Sequence, residues 1–169
     1  MKKANLSLGQ EVTLEQVLLQ RDQRVHLIRQ LSDQYPQHSI LSFKLNIPGP
    51  IKNNDTIKAV FNEGLNALPS HPVKQVVANY LAGGPEAILV YTMSPSALKQ
   101  QMVTLEETHP LGRLFDCDVE SIKRQDLGYP GRQCLICDQQ AQVCGRSRTH
   151  SVDQLIAKIE EIIDYSNLF

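Results

Sequence analysis

The sequence of 169 residues has no apolar run approaching the ~18 residues that a membrane span needs. Met1-Lys2-Lys3 leads into no hydrophobic signal region. Charge of one sign is also missing: 17 Lys+Arg stand against 18 Asp+Glu, a formal net charge of −1. A chain so balanced offers no broad basic face, which argues against general binding to nucleic acid or to anionic membranes. Internal repeats, low-complexity stretches and long Gly/Ser linkers are absent, so residues 1–169 read as one continuous domain. Cysteine is missing from the first two thirds, because Cys117, Cys134, Cys137 and Cys144 all crowd into the last third. That distribution suits metal or thiol chemistry better than a secreted disulfide frame. With 41% apolar residues a packed core is within reach, and a soluble, cytoplasmic protein is expected.

The patterning that is present alternates helix and strand. Thr13 and Gln16 form a capping pair, and Leu14, Val17, Leu18, Val25, Ile28 and Leu31 recur at helical spacing up to the stop at Pro36. Ser39 to Leu45 predicts a strand, closed by Asn46-Ile47-Pro48-Gly49-Pro50, whose prolines lack the N–H that a ladder needs. A helix is expected from about Thr56 to Leu68. Another is expected from Pro72 through Val73, Val76, Val77, Tyr80 and Leu81, with Gly83-Gly84 as its stop. Ala87 to Thr92 fits a buried strand, Ser94-Pro95 opens a helix to about Glu107, and Gly112 to Glu120 predicts the next strand. After a turn-rich, cysteine-bearing stretch, Ser151 and Gln154 cap a final helix whose apolar side is Val152, Leu155, Ile156, Ile159, Ile162 and Ile163. The expected fold class is α/β (α+β), a single domain with a mixed sheet flanked by helices.

Asp116-Cys117-Asp118 carries the most chemistry. Strand alternation puts the two carboxylates on one face, roughly 7 Å apart at ~3.3 Å per residue, and turns Cys117 toward the core. Two unpaired carboxylates so close repel each other, and a hard divalent cation removes the penalty. Mg²⁺ fits, since it accepts one or two carboxylates and leaves room for water and phosphate. Asp116 and Asp118 are therefore the candidate catalytic and Mg²⁺-holding residues, with Glu120 the nearest third carboxylate. The bland alternative is a solvated acidic strand face beside a basic neighbour. Strand, Ser94 turn, helix and Asp-x-Asp strand resemble the core of the DNA polymerase beta type nucleotidyltransferases, although the usual Gly-Ser pair is absent. A helix N-terminus with the Ser94 or Ser96 hydroxyl would attract a phosphate.

Cys134, Cys137, Cys144 and His150 supply three thiols and an imidazole, the inventory of a closed tetrahedral zinc site. The alternative is a compact loop with a surface histidine. Around them Lys123, Arg124, Arg132, Arg146 and Arg148 face only Asp126 and Asp138 between Ser121 and His150. Arg146 and Arg148 would clamp polyphosphate in a bidentate way, or belong to a solvated basic loop. Arg21 lies in register with Leu14, Leu18, Val25 and Ile28, so it either aims inward at a phosphate or carboxylate or snorkels outward. Lys52 sits just beyond the stiff proline loop and either closes over a ligand or is simply a surface lysine. Arg113 faces the Cys117 side by strict alternation, so a phosphate role for it requires an irregular start to the strand.

Four stretches then stand together: Leu45-Asn46-Ile47-Pro48-Gly49-Pro50-Ile51-Lys52, the run Leu105 to Val119 containing His109-Pro110-Leu111-Gly112-Arg113-Leu114-Phe115-Asp116, the run Arg132 to Asp138, and Val143-Cys144-Gly145-Arg146-Ser147-Arg148-Thr149-His150. They resemble the apo-citrate lyase phosphoribosyl-dephospho-CoA transferases, the holo-acyl-carrier-protein synthases of citrate lyase. The resemblance runs from the stretch at 18–24 to the final helix. It implies that a serine of the citrate lyase acyl carrier (gamma) subunit attacks triphosphoribosyl-dephospho-CoA at the phosphorus nearest the ribose, and that pyrophosphate leaves. On that reading Asp116 and Asp118 hold the metal, and Ser94, Lys52, Arg113, Arg146 and Arg148 are candidates for triphosphate contact. Cys117 departs from the aliphatic residue expected between the aspartates, though a small thiol suits a buried face. Two other readings are a zinc-stabilised module that only binds the carrier or a nucleotide, and a metal-dependent phosphodiester hydrolase.

Overall fold

Thr13 accepts a hydrogen bond from the Gln16 amide while the Gln16 side chain accepts one from the Thr13 amide, and this capping box opens α1 (Leu14–Gln34). The structure is a computed structural model that describes residues 3–169. After α1 come β1 (Ser39–Leu45), α2 (Asp55–Ala67), β2 (Lys74–Ala78), β3 (Glu86–Tyr91), α3 (Pro95–Thr108), β4 (Phe115–Val119), α4 (Ala141–Ser147) and α5 (Val152–Tyr165). Single 3-10 turns occupy Gly112–Leu114 and Arg124–Leu127.

The strands form one sheet in the order β2-β3-β1-β4. The α/β class is as expected, but the sheet is antiparallel at every pairing rather than mixed. The reason is topological. The β3–α3–β4 crossover passes over β1, and β3 lies between β1 and β2, so neither pair of strands that run in the same direction is adjacent.

Side-chain alternation gives the sheet two unlike faces. Leu41, Phe43, Leu89, Phe115 and Cys117 point into the main core against Ile57, Val60 and Phe61 of α2, Leu98 and Met102 of α3, and Ile159 and Ile163 of α5. Phe43 stacks on Phe61 with ring centroids 5.2 Å apart and meets Phe115 edge-on at 5.6 Å. Gly64 lies against this trio, where a Cβ would fall 2.5 Å from Phe43 Cζ. On the other face Ile40, Ile88 and Val90 pack on Leu27, Ile28 and Leu31 of α1. That second face also carries Ser42, Lys44, Glu86, Asp116 and Asp118.

Three expectations need correction. Residues expected as a helix from Pro72 to Leu81 form β2, which pairs along β3 from Lys74↔Val90 to Ala78↔Glu86. Val73, Val76 and Val77 satisfy a helical spacing, but β-branched side chains favour the strand. Pairing also covers a β3 edge whose backbone groups would otherwise lie open. In α1 the C-terminal end of the apolar stripe, Ile28 and Leu31, faces the protein, whereas Leu14, Leu18 and Val25 are 74%, 46% and 38% exposed. The helix is turned so that Gln20 and Arg24 reach polar partners on the sheet, as described below. Finally, the strand expected from Gly112 begins only at Phe115, because a 3-10 turn precedes it.

Candidate functional site

Lys44 lies in register between Glu86 of β3 and Asp116 of β4, so a row of charge crosses the sheet on its α1 face. Its ammonium donates to the Asp116 carboxylate and, at 3.3 Å, to Asp118 Oδ2. Both carboxylates therefore converge on one point beside the strand. The Asp116 side chain is 33% exposed and that of Asp118 66%. Burial alone would pull Lys44 down, but Asp116 and Asp118 outweigh it and hold the ammonium above its ordinary pKa. A positive charge thus stands between the two aspartates throughout the neutral range.

Glu86 is answered separately. Arg24 Nη1 donates to its carboxylate at 2.7 Å and Gln20 Nε2 at 3.1 Å. The same Gln20 amide donates to the Gly84 carbonyl at 3.0 Å and accepts from the Gly83 amide at 2.9 Å. These bonds fix the rotation of α1, since a buried carboxylate and two buried backbone groups left unbonded would cost more than exposing a few leucines. Gly84, at φ +110, holds a conformation that only glycine adopts without strain.

Two hollows flank Lys44. One, of about 480 Å³, is lined by Arg24, Ser42, Asp118, Glu120, Ser121 and Lys123. The other, of about 40 Å³, is bounded by Gln20, Lys52 and Gly84. Lys52 donates to the Ile47 carbonyl of the proline loop, and burial lowers its pKa.

The outer edge of β4 is closed by charged side chains instead of a further strand. Arg132 donates to the carbonyls of Phe115 at 2.7 Å, Gly112 at 3.2 Å and Arg113 at 3.1 Å. Glu106 accepts from the Cys117 amide at 3.0 Å, and Lys99 donates to the Cys117 carbonyl at 2.8 Å. By holding the 3-10 turn, Arg132 takes Arg113 out of strand alternation, and this is the irregular start that a phosphate role for Arg113 requires. Arg113 donates to the Gln133 carbonyl at 2.5 Å. Burial, then the nearby Arg132 and Arg124, lower its pKa, as expected where guanidinium groups are gathered. Beyond this edge lies a cavity of about 720 Å³, lined by Arg113, Arg148 and His150 with apolar walls from Pro48, Leu135 and Leu155.

Cys134, Cys137, Cys144 and His150 meet beside that cavity. Their ligand atoms all lie within 4.8 Å of one another, with Cys137 and Cys144 Sγ 3.4 Å apart and His150 Nε2 3.3 Å from Cys137 Sγ. Four ligands at ~2.3 Å from a tetrahedral zinc would stand ~3.8 Å apart, so the donor set fits a structural zinc. The Ile136 amide points at Cys134 Sγ at 3.4 Å, a donor that supports a thiolate. α4 forms where the sequence predicts only turns, and it carries Cys144. The left-handed Arg148 at φ 48 then turns the chain back to His150.

The expected site residues thus separate. Asp116 and Asp118 converge, Lys52 borders the small hollow beside Lys44, and Arg113 and Arg148 share the larger cavity. Ser94 caps α3, its hydroxyl accepting from the Ala97 amide at 3.3 Å, and α3 packs on the opposite face of the sheet from the aspartates. Arg21 is exposed rather than aimed inward, and Arg146 is exposed on α4. The sequence reading missed Lys44, Gln20, Arg24 and Glu106, and it counted Arg132 only as charge. Ser42 and Lys44, polar at alternate positions of an otherwise apolar strand, were the available signal for the first. Arg132 bonds only to carbonyls, and no side-chain pattern announces that.

Comparison with known proteins agrees with the motif resemblance. The family model for apo-citrate lyase phosphoribosyl-dephospho-CoA transferase matches residues 12–166. A relative from Vibrio cholerae, named as a probable apo-citrate lyase phosphoribosyl-dephospho-CoA transferase, is 41% identical over 170 residues, covering 92% of this chain and 94% of its own length. Relatives named apo-citrate lyase phosphoribosyl-dephospho-CoA transferase from Shigella boydii and Escherichia coli are each 34% identical over 164 residues, covering 90% of this chain and 89% of theirs. On that coverage and identity, the chain belongs to the apo-citrate lyase phosphoribosyl-dephospho-CoA transferase family.

Proposed function

We propose that this protein attaches the phosphoribosyl-dephospho-CoA group to a serine of the citrate lyase acyl carrier subunit, using triphosphoribosyl-dephospho-CoA and releasing pyrophosphate. The observation that carries the site assignment is the convergence of Asp116 and Asp118 on a single cation position. The serine oxygen forms a bond to the phosphorus nearest the ribose, and the bond from that phosphorus to pyrophosphate breaks. The hydroxyl proton leaves to solvent. The nucleophile belongs to the partner, so the chain itself needs no Ser-His-Asp arrangement.

Asp116 and Asp118 are the residues that would hold Mg²⁺, since they offer hard carboxylate oxygens at the open side of an edge strand. When bound, the ion neutralises charge on the phosphoryl group being transferred. The exposure of Asp118 leaves that side open to a partner protein. We assign the larger cavity to the nucleotide portion of the substrate. Its volume suits such a ligand, its walls combine apolar surface with Arg113 and Arg148, and it opens beside the turn that leads into Asp116. Lys52 supports the polyphosphate from the other side of β1. We further propose that zinc occupies the Cys134, Cys137, Cys144 and His150 cluster in a structural role, because four protein ligands leave no open position for catalysis. No helix among the described residues is long and apolar enough to cross a membrane, and we place the reaction in the cytoplasm.

The test is the intact mass of apo carrier after incubation with this protein, Mg²⁺ and triphosphoribosyl-dephospho-CoA. A mass gain equal to the prosthetic group, abolished by chelator, is expected. Substrate consumed with the carrier unmodified would replace the transferase by a hydrolase, and no reaction with folded protein would leave only a binding module.

A further inference from the structure

Lys44 is a residue that the comparisons and the motif resemblance leave without a role. We infer that its ammonium is an internal competitor for the divalent ion: it occupies the point on which Asp116 and Asp118 converge, and it must leave when the ion enters. This rests on the reading of the aspartates as a metal pair. The geometry is specific. Register sets Lys44 opposite Asp116 on the neighbouring strand, and one ammonium reaches Oδ2 of both carboxylates, so it stands where a shared cation would sit. Two carboxylates with one ammonium carry a net charge of −1. Adding a divalent ion without moving Lys44 would put three positive charges against two negative ones within a few ångströms, and the like charges would repel.

The structure also gives the displaced side chain one direction. The hollow toward Lys52 holds only about 40 Å³, too little for a displaced lysine side chain. The cleft toward Asp118 holds about 480 Å³ and is lined by Arg24, Ser42, Ser121 and Lys123. Lys44 therefore swings into the cleft, where its ammonium meets an anionic oxygen of the substrate's polyphosphate. The same lysine neutralises the aspartates before the ion arrives and serves the phosphate afterwards. Metal and polyphosphate consequently bind cooperatively in the presence of Lys44, and less so without it.

The test uses Mn²⁺ as the probe ion and inorganic pyrophosphate as the probe anion, with the full chain carrying Lys44→Met, Lys44→Gln or Lys44→Arg. Calorimetric titration is expected to show Mn²⁺ binding at least tenfold tighter to Lys44→Met and Lys44→Gln than to the native protein. Lys44→Arg should remain close to native. Pyrophosphate affinity measured with Mn²⁺ present should fall about tenfold or more in the two neutral variants. Should those variants unfold for want of a countercharge, the inference requires that Mn²⁺ refold them, followed by circular dichroism. Unchanged Mn²⁺ affinity in folded Lys44→Met, with binding still abolished by Asp116→Asn, would overturn the competitor role while leaving the metal pair intact. Absence of Mn²⁺ binding from every variant, the native chain included, would overturn the competitor role and the metal pair together.

Discussion

Arg132 illustrates how much of the candidate site depends on a side chain bonded to backbone carbonyls. Its guanidinium bonds three carbonyls at the entry to β4, and the turn it holds is what directs Arg113 toward the large cavity. Hydrogen bonds from a charged group contribute ~1.5–3 kcal/mol each, and edge carbonyls regain water when freed, so Arg132→Ala should lose about 2–3 kcal/mol in urea denaturation. A loss below ~0.5 kcal/mol would mean that the turn stands without it. Tyr91 offers a second check. Its hydroxyl donates to the Pro69 carbonyl at 2.8 Å, and burial, then Cys117, push its pKa up to about 12. A phenol whose folded pKa lies above its unfolded value of ~10 contributes stability that is complete below ~10 and is lost as pH rises toward the folded value. Absorbance titration should show one phenolate appearing near pH 12, absent from Tyr91→Phe, and its appearance near pH 10 with the other tyrosines would contradict the burial. At this scale the sequence was legible where chemistry is carried by residue type: Asp116, Asp118 and the four zinc-type ligands could be named. Lys44, Gln20 and Arg24 could not, because their partners lie on other strands and only register brings them together.

Among elements, those with local signals were legible and those decided by tertiary contacts were not. The capping boxes at Thr13 and Ser151 and the Ser94-Pro95 start mark their helices within one turn. β2 forms where the spacing predicts a helix, because a run rich in valine meets both periodicities and the unpaired edge of β3 decides between them. For α1 the spacing marks the helix and its Ile28–Leu31 contact with the sheet, but it says nothing of the buried Glu86 that draws Gln20 and Arg24 inward and leaves Leu14 and Leu18 exposed. The packing of α2 on the sheet is tight enough to test. A Cβ at Gly64 would lie 2.5 Å from Phe43 Cζ and 2.8 Å from Phe115 Cε1, both rings of the fully buried core. Gly64→Ala should therefore cost about 1–3 kcal/mol by overpacking, despite the better helix propensity of alanine. A stabilised variant would show that α2 can shift away from the sheet.

The whole molecule is a sheet with a dry face and a charged one. The three-helix side supplies stability, and the α1 side carries the carboxylates. Neither face was visible as such from composition, but the Asp-x-Asp alternation assigned Cys117 and the aspartates to the correct sides. The Cys134, Cys137, Cys144 and His150 cluster joins the loop after β4 to α5, so losing the proposed zinc should be felt across the fold. Purified protein is expected to contain about one equivalent of zinc. Chelation or Cys144→Ser should lower the melting temperature by about 5 °C or more, on a scale of ~2–4 °C per kcal/mol for chains of this size. Zinc-free protein with an unchanged melt would refute the structural role. The central claim concerns Asp116. We would measure carrier modification by intact mass with Asp116→Asn beside the native protein, at saturating Mg²⁺ and triphosphoribosyl-dephospho-CoA and with matched folding by circular dichroism. The account predicts a loss of transfer of about 10³-fold or more, as when a charge-stabilising group at the reacting centre is removed. Transfer by Asp116→Asn within tenfold of native would contradict it.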